Sequence, residues 1–293
     1  MNGSLYQRFA QRYKREEEGG GSMTIKNIMV HLDQGARTAV RLKLAVDLAR
    51  HHQARLVGVF GQRGQAQQVG LVSSWPSAEY AAAAEASQAL FCSAVGDLPS
   101  WEWVDINRGS DTEVIRLLVE NGRHFDFIIL GQHEENFQHL PKDLAEMMIL
   151  DSGRPVLVVP YAGTFDDVFA HPLVAWNDAR EAARALNDAL PLIQSAQETV
   201  VVRVAWENKV TREEKATLLK HLQAHGITAS YEVVTPKSER VQLMDALLNT
   251  VSDQGATLLV MGAKGNGNNL FKGQGAGTRY ILEHMTVPVL MAH

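Results

Sequence analysis

The segment from Gly262 to Met285, GAKGNGNNLFKGQGAGTRYILEHM, is where residue types and spacing suggest chemistry. It carries six glycines, at Gly262, Gly265, Gly267, Gly273, Gly275 and Gly277, and a helical pattern begins near Thr278. Glycines let backbone N–H groups approach phosphate oxygens, and a helix N-terminus favours negative charge. Lys264 and Lys272 can add positive charge, and the Thr278 hydroxyl can donate to an oxyanion. The plainer alternative is a glycine-rich loop in which Thr278 caps the following helix. Two better-known phosphate motifs do not fit. GxxxxGK[ST] is absent, and GxGxxG breaks after Gly267.

Other chemically suggestive groups are weaker. His221 and His225 lie four apart in a predicted helix, without a glutamate after His221 or a third ligand, and read as a solvated face. His133 and His139 share a segment with Glu134 and Glu135 and read as a polar loop. Asp111 and Glu113 suit the first turn of a helix. Cys92, in an alanine-rich helix over Ala81–Val95, reads as a small buried residue. Trp176, beside Asn177, can line a ligand cleft. No Ser/His/Asp arrangement follows from spacing.

The elements that position these residues form a repeat. Each half opens on an apolar strand that ends in polar residues, Asn27–Leu32 before Asp33 and Pro172–Trp176 before Asn177. An alanine-rich helix follows, Ala36–His51 or Ala179–Ile193. Then come strands Leu56–Phe60 and Glu102–Ile106, matched by Thr199–Ala205 and Ala229–Val234. A helix leads to the fourth strand, Thr112–Asn121 in the first half and Val241–Val251 in the second. The fourth strands share a glycine, FIILG against LLVMG, and Gly131 and Gly262 are 131 residues apart. The closing strands, RPVLVVP and VPVLMAH, place Pro155 and Pro288 at a separation of 133. Landmarks at nearly the same offset indicate duplication. Strands alternating with helices indicate βαβ units and parallel sheets, and the unbroken apolar runs suit strands covered on both faces. The expected fold is α/β, two tandem doubly wound, Rossmann-like, five-stranded sheets. Ligands in such sheets bind beyond the strand C-termini, where the strand order switches. That places Asp33 and Gly131 at one edge, Asn177 and Gly262 at the other.

Composition narrows the function classes. The 293 residues are 45% hydrophobic, with 28 Lys+Arg against 33 Asp+Glu and a net charge of −5, which argues against a broad nucleic-acid-binding surface. No apolar run approaches the roughly 20 residues of a membrane span. A lone cysteine gives no internal disulfide, so a cytoplasmic location is expected. Residues 1–22 end in GGGS and precede Met23, and read as a fused peptide and linker. The alternative is a natural N-terminal interaction helix with Leu5, Phe9 and Tyr13 on one face. The expected domains are 23–162 and 163–293.

The five-strand rhythm, the glycine loop after strand four and the closing VPVLMAH resemble the universal stress protein family over nearly all of 23–293, in its tandem two-domain form. Its ATP-binding members carry G-x2-G-x9-G-[S/T]. Here Gly262, Gly265 and Gly275 match the three glycines, and Ala276 stands where Ser or Thr is expected. The resemblance implies an adenine-nucleotide fold related to the adenine nucleotide alpha hydrolases. It implies ATP, with Mg²⁺ when bound, as the ligand of the second half. Asn177 matches an aspartate near the adenine or ribose, and Val204 the apolar wall of the adenine pocket. Met261 and Lys264 flank the first motif glycine. Gly265, Gly275, Ala276, Gly277 and Thr278 would hold phosphates. In the first half Glu134 replaces the second glycine, and Lys142 and Asp143 fall where Gly and Ser/Thr would sit, so no ATP is expected there. The family commonly pairs through its last strands, which implies an intrachain pseudo-dimer joining Val156–Val159 to Val289–Met291, with homodimerisation of the chain open. The expected role is a stress-response or regulatory protein, not an enzyme, acting through unidentified protein partners. An interaction scaffold without nucleotide and a slow nucleotide hydrolase are the alternatives.

Overall fold

The computed structural model describes residues 25–64, 67–69, 72–106, 110–206, 210–236, 242–263 and 276–293, with backbone alone for 67–69 and 72–74. The first half runs β1 (Asn27–Leu32), α1 (Thr38–His52), β2 (Arg55–Phe60), β3 (Gln67–Val69), β4 (Val72–Ser74), α2 (Ala78–Val95), β5 (Trp101–Asp105), α3 (Asp111–Gly122), β6 (Phe127–Gly131), α4 (Leu144–Asp151) and β7 (Val156–Val159). The second runs β8 (Pro172–Ala175), α5 (Arg180–Ile193), β9 (Thr199–Val204), α6 (Arg212–Ala224), β10 (Ala229–Val234), α7 (Leu243–Asp253), β11 (Leu258–Gly262), α8 (Ala276–His284) and β12 (Val289–Ala292).

Local chemistry sets many of these boundaries. Glu113, three residues after Ser110, accepts from the Ser110 N–H at 3.2 Å, which tethers the start of α3. Thr211 and Glu214 form a full capping box on α6, with bonds of 2.6 and 3.1 Å. Gln53 ends α1 in the left-handed region at φ 51°, and Arg50, His51 and His52 in the last turn complement its dipole.

The β3–β4 hairpin is an element absent from the sequence reading. Cys92 is a correction: it is exposed on α2, because Ser87, Phe91 and Val95 take the inward face of that helix. The last helix starts at Ala276, so Thr278 lies buried inside its first turn and is not its cap.

Among the described residues ten strands form one sheet in the order β10-β9-β8-β11-β12-β7-β6-β1-β2-β5, and β3 and β4 pair apart from it as an antiparallel hairpin. The two expected five-stranded sheets are present and join edge to edge into one ten-stranded sheet. Each half of this sheet has the same internal order, and pairing within each half of it is parallel. The halves meet at β7 and β12, which pair antiparallel with Leu157 opposite Leu290 and Val156 opposite Met291. This pairing leaves neither closing strand as an open edge.

Alternation along each strand divides the core into two layers. Ile28, Val30 and Leu32 pack with α1, α2, α5 and α6 on one face. Met29, Val156 and Val158 pack with α3, α4, α7 and α8 on the other. Polar contacts close the seam between the halves. Gln132, nearly buried, donates to the carbonyls of Leu282 and Glu283 at the end of α8, at 2.9 and 3.3 Å. Arg279 of α8 bonds Glu146 of α4 at 2.7 Å. Among the described residues no helix is long and apolar enough to cross a membrane.

Candidate functional site

Strand register identifies equivalent positions in the two halves. Ile28 of β1 faces Phe127 of β6, and Pro172 of β8 faces Leu258 of β11. Counting onward, Asp33 corresponds to Asn177, Thr38 to Ala182, Arg41 to Ala185, and Gly131 to Gly262. Both sets lie at the C-terminal edge of the sheet, where strand order switches, yet they make different environments.

In the first half the place is filled by side chains. Arg41, on the buried face of α1, sends Nη2 to Asp33 Oδ2 at 2.5 Å and to Thr38 Oγ1 at 3.0 Å, and Nε to the His31 carbonyl at 3.3 Å. Asp33 Oδ1 accepts from the Gly35 N–H at 2.6 Å and from Thr38 Oγ1 at 2.8 Å. Gly131 is required here, because a Cβ on it would collide with Arg41 Nη1 and lie 3.1 Å from Cζ. The segment after Gly131 folds over the same edge. Phe137 lies against the Gly35 turn, Leu140 is buried, and the Phe137 and His139 rings meet at a tilt with centroids 5.3 Å apart. Arg63 fastens this segment through the Gln138 carbonyl at 2.6 Å, while its other guanidinium nitrogens hold Asp111 at the start of α3.

Buried charge makes this half sensitive to acid. Burial lowers the His31 pKa below its ordinary 6.5, with Arg41 acting in the same direction and Asp33 opposing. Its Nε2 donates to the Gly61 carbonyl at 2.7 Å, which sets the neutral tautomer. Asp33 is also held below its ordinary value. Desolvation opposes this, and the Arg41 and His31 charges with the Thr38 and Gly35 bonds outweigh it. Burial pushes His52 down to about 4. Each folded pKa lies below the unfolded one, so at intermediate pH the unfolded chain binds protons that the native chain refuses. The histidine contribution to stability is therefore complete above about pH 6.5 and falls as pH drops towards the folded values. The Asp33 contribution follows below about pH 4. Urea midpoints should fall between pH 7.5 and 5, with a shallower fall in His31→Gln. An unchanged pH slope in that variant would refute the assignment.

In the second half, among the described residues, the equivalent place holds a cavity. Ala185 and Ala182 replace Arg41 and Thr38, and a cavity of about 90 Å³ lies at the ends of β8, β9 and β11. Its lining includes Asn177, Glu181, Val204, Met244, Met261 and Gly262. Asn177 Oδ1 accepts from the Ala179 N–H at 3.2 Å, and Asp178 takes φ 61°, a turn that short polar side chains tolerate. Gly262 packs directly on α5. A Cβ there would lie 2.5 Å from the Ala182 nitrogen and would collide with the Glu181 carbonyl carbon.

Of the residues singled out in the sequence, Trp176, Asn177, Val204, Met261 and Gly262 line this one cavity. Ala276, Gly277 and Thr278 form the first turn of α8. Gly277 lies against Met244, whose Sδ would be 3.5 Å from an added Cβ, so this turn borders the cavity wall. Lys264, Gly265 and Gly275 lie outside the described residues, as does Lys272. Sequence reasoning missed Glu181, Met244, Leu247 and, in the first half, Arg41. The available signal for Arg41 was an arginine on the apolar face of its helix. Nothing in the pattern marked Met244 or Leu247 beyond core-type periodicity. Among the described residues, no three or more His, Cys, Asp or Glu gather in a metal-holding group, the His221–His225 and His133–His139 pairs included.

No protein-family model matches the sequence, and no curated protein matches it. Solved structures do match by fold. A universal stress protein from Archaeoglobus fulgidus DSM 4304 superposes with a TM-score of 0.68 at 16% identity, covering 91% of this chain and 97% of that one. A putative universal stress protein from Pseudomonas aeruginosa UCBPP-PA14 has a TM-score of 0.55 at 16% identity, over 93% and 95% of the two chains. A functionally unknown protein from Pseudomonas aeruginosa PAO1 has a TM-score of 0.56 at 16% identity, covering 92% of each. The α/β architecture, the switch in strand order and these superpositions agree that the chain has the fold of the universal stress proteins.

Proposed function

We propose that the chain is a tandem universal stress protein whose second half binds an adenine nucleotide and whose first half supports it. The observation that carries this reading is the asymmetry at one equivalent place. Arg41 fills it in the first half, and a cavity occupies it in the second. In this reading the domains are 23–162 and 163–293, and residues 1–22 are an added peptide and linker.

The lining has the chemistry that a purine nucleotide needs. Val202, Val204, Met244 and Leu247 offer an apolar wall for a base, and Asn177 adds amide hydrogen-bonding groups. The volume of about 90 Å³ is below the several hundred Å³ of a typical ligand pocket. Met244 and Met261, unbranched and adaptable, are the side chains that would yield to a ring. The first turn of α8, from Ala276 to Thr278, would face the phosphates with the positive end of its helix dipole, helped by Lys264, Gly265 and Gly275. Binding would order this edge and alter a surface read by protein partners in the cytoplasm.

Calorimetric titration of the intact chain with ATP and Mg²⁺ tests the proposal. Saturable binding is expected, and Val204→Trp, which fills the cavity, should abolish it without unfolding the protein. No affinity at millimolar ATP would instead favour an interaction scaffold with a collapsed pocket, a reading to which the small cavity lends some weight.

A further inference from the structure

Glu181 is a buried carboxylate at the centre of this edge. It lies in the first turn of α5, its side chain is 5% exposed, and it lines the cavity. Oε1 accepts from Arg180 Nη2 at 3.2 Å, but the Arg180 side chain is 78% exposed. Among the described residues Oε2 has no hydrogen-bond partner. The equivalent first-half residue, four positions after Asp33, is Arg37, whose guanidinium is held by the Pro160 and Gly163 carbonyls at 3.2 and 2.7 Å. The first half therefore ties this position to its own chain, whereas the second presents a carboxylate to a cavity. A carboxylate that lines the cavity and is held only by an exposed arginine has an oxygen left to accept donors from a ligand.

Position indicates which donors. Glu181 sits where α5 crosses Gly262, in the crevice between β8 and β11. Val202 and Val204 of the apolar wall belong to β9, on the far side of β8. Neighbouring strands lie about 4.8 Å apart, so a base on that wall and phosphates beside α8 place the sugar between them, next to Glu181. Two adjacent sugar hydroxyls are a donor pair matched to one carboxylate. Phosphates would be repelled from it, which keeps the ligand in this direction.

Resting on the nucleotide reading above, we propose that Glu181 is a specificity-determining residue that accepts hydrogen bonds from the ribose hydroxyls and selects ribonucleotides over 2′-deoxyribonucleotides. The test is calorimetric titration of the intact chain with ATP and with dATP. The wild type should bind ATP about tenfold or more tightly than dATP, as expected for loss of a hydrogen bond to a charged group. Glu181→Gln should bind both nucleotides with similar, weaker affinity. Glu181→Asp, which withdraws the charge by one methylene, should reduce the preference and serves if the glutamine variant does not fold. Arg180→Ala should keep the preference.

Equal wild-type affinities would overturn the role of Glu181 and leave the nucleotide site standing. Persistence of the preference in a folded Glu181→Gln variant would do the same. Failure of the wild type to bind either nucleotide at millimolar concentration would overturn the nucleotide reading, and this inference with it.

Discussion

Arg41→Ala is expected to destabilise the protein by about 3–5 kcal/mol, the usual cost of removing one partner from a buried ion pair. The loss comes from what stays behind. Asp33 is 4% exposed and would keep only its Thr38 and Gly35 bonds. The vacated space beside Gly131 would add a cavity term. A fall on the order of 10 °C in Tm follows for a domain of this size. A second variant separates the charge from the shape. Asp33→Asn combined with Arg41→Ala installs the residue types found at Asn177 and Ala185. It leaves no unpaired carboxylate, so it should be more stable than Arg41→Ala alone. Thermal and urea denaturation of the two variants beside the wild type decide the matter. A wild-type Tm for Arg41→Ala would sink the argument, as would a double variant no better than the single one.

Gly262→Ala is expected to act on the other half by a different route. The added Cβ meets backbone atoms, the Glu181 carbonyl carbon and the Ala182 nitrogen, which no rotamer change can move. The first turn of α5 must shift, at a cost of about 1–3 kcal/mol for overpacking. That turn carries Glu181 and follows Asn177, so the cavity lining moves with it. ATP affinity should fall by more than about tenfold, since small displacements in a positioned site are expensive. Gly277→Ala is the contrast. Its Cβ would meet Met244 Sδ at 3.5 Å, an ordinary contact, so stability should change little. Urea midpoints and calorimetric ATP affinities for both variants provide the check. Unchanged binding in Gly262→Ala would remove this edge from the site.

Much of the frame was legible in the sequence, for physical reasons. Strands buried on both faces need unbroken apolar runs, so FIILG and LLVMG announced themselves, and β1 and β10 have the boundaries read from the pattern. The duplicated glycines and prolines reported two units, and the family resemblance implied the β7–β12 pairing. Side-chain burial was less legible. Cys92 was read as buried because alanine-rich periodicity on α2 does not say which face turns inward. The β3–β4 hairpin escaped because three-residue strands lie below the length at which alternation can be recognised.

The sequence by itself determined the α/β class, the doubling and the edge of the sheet at which a ligand would sit, because these follow from periodicity and from short-range steric rules. The tertiary structure alone decided which of the two edges is filled by an arginine and which, among the described residues, holds a cavity. Asp33 by itself looks like a ligand contact, and Asn177 like its weakened copy. Arg41 lies eight residues along the chain from Asp33 and ninety from Gly131, and only the packing of α1 against β6 brings the three together. The same holds for Glu181, Met244 and Met261, which come from separate elements and share a cavity only once the sheet has formed. Periodicity records which residues face the core. It does not record which of them meet, because contacts between distant segments depend on crossover geometry that no local spacing encodes.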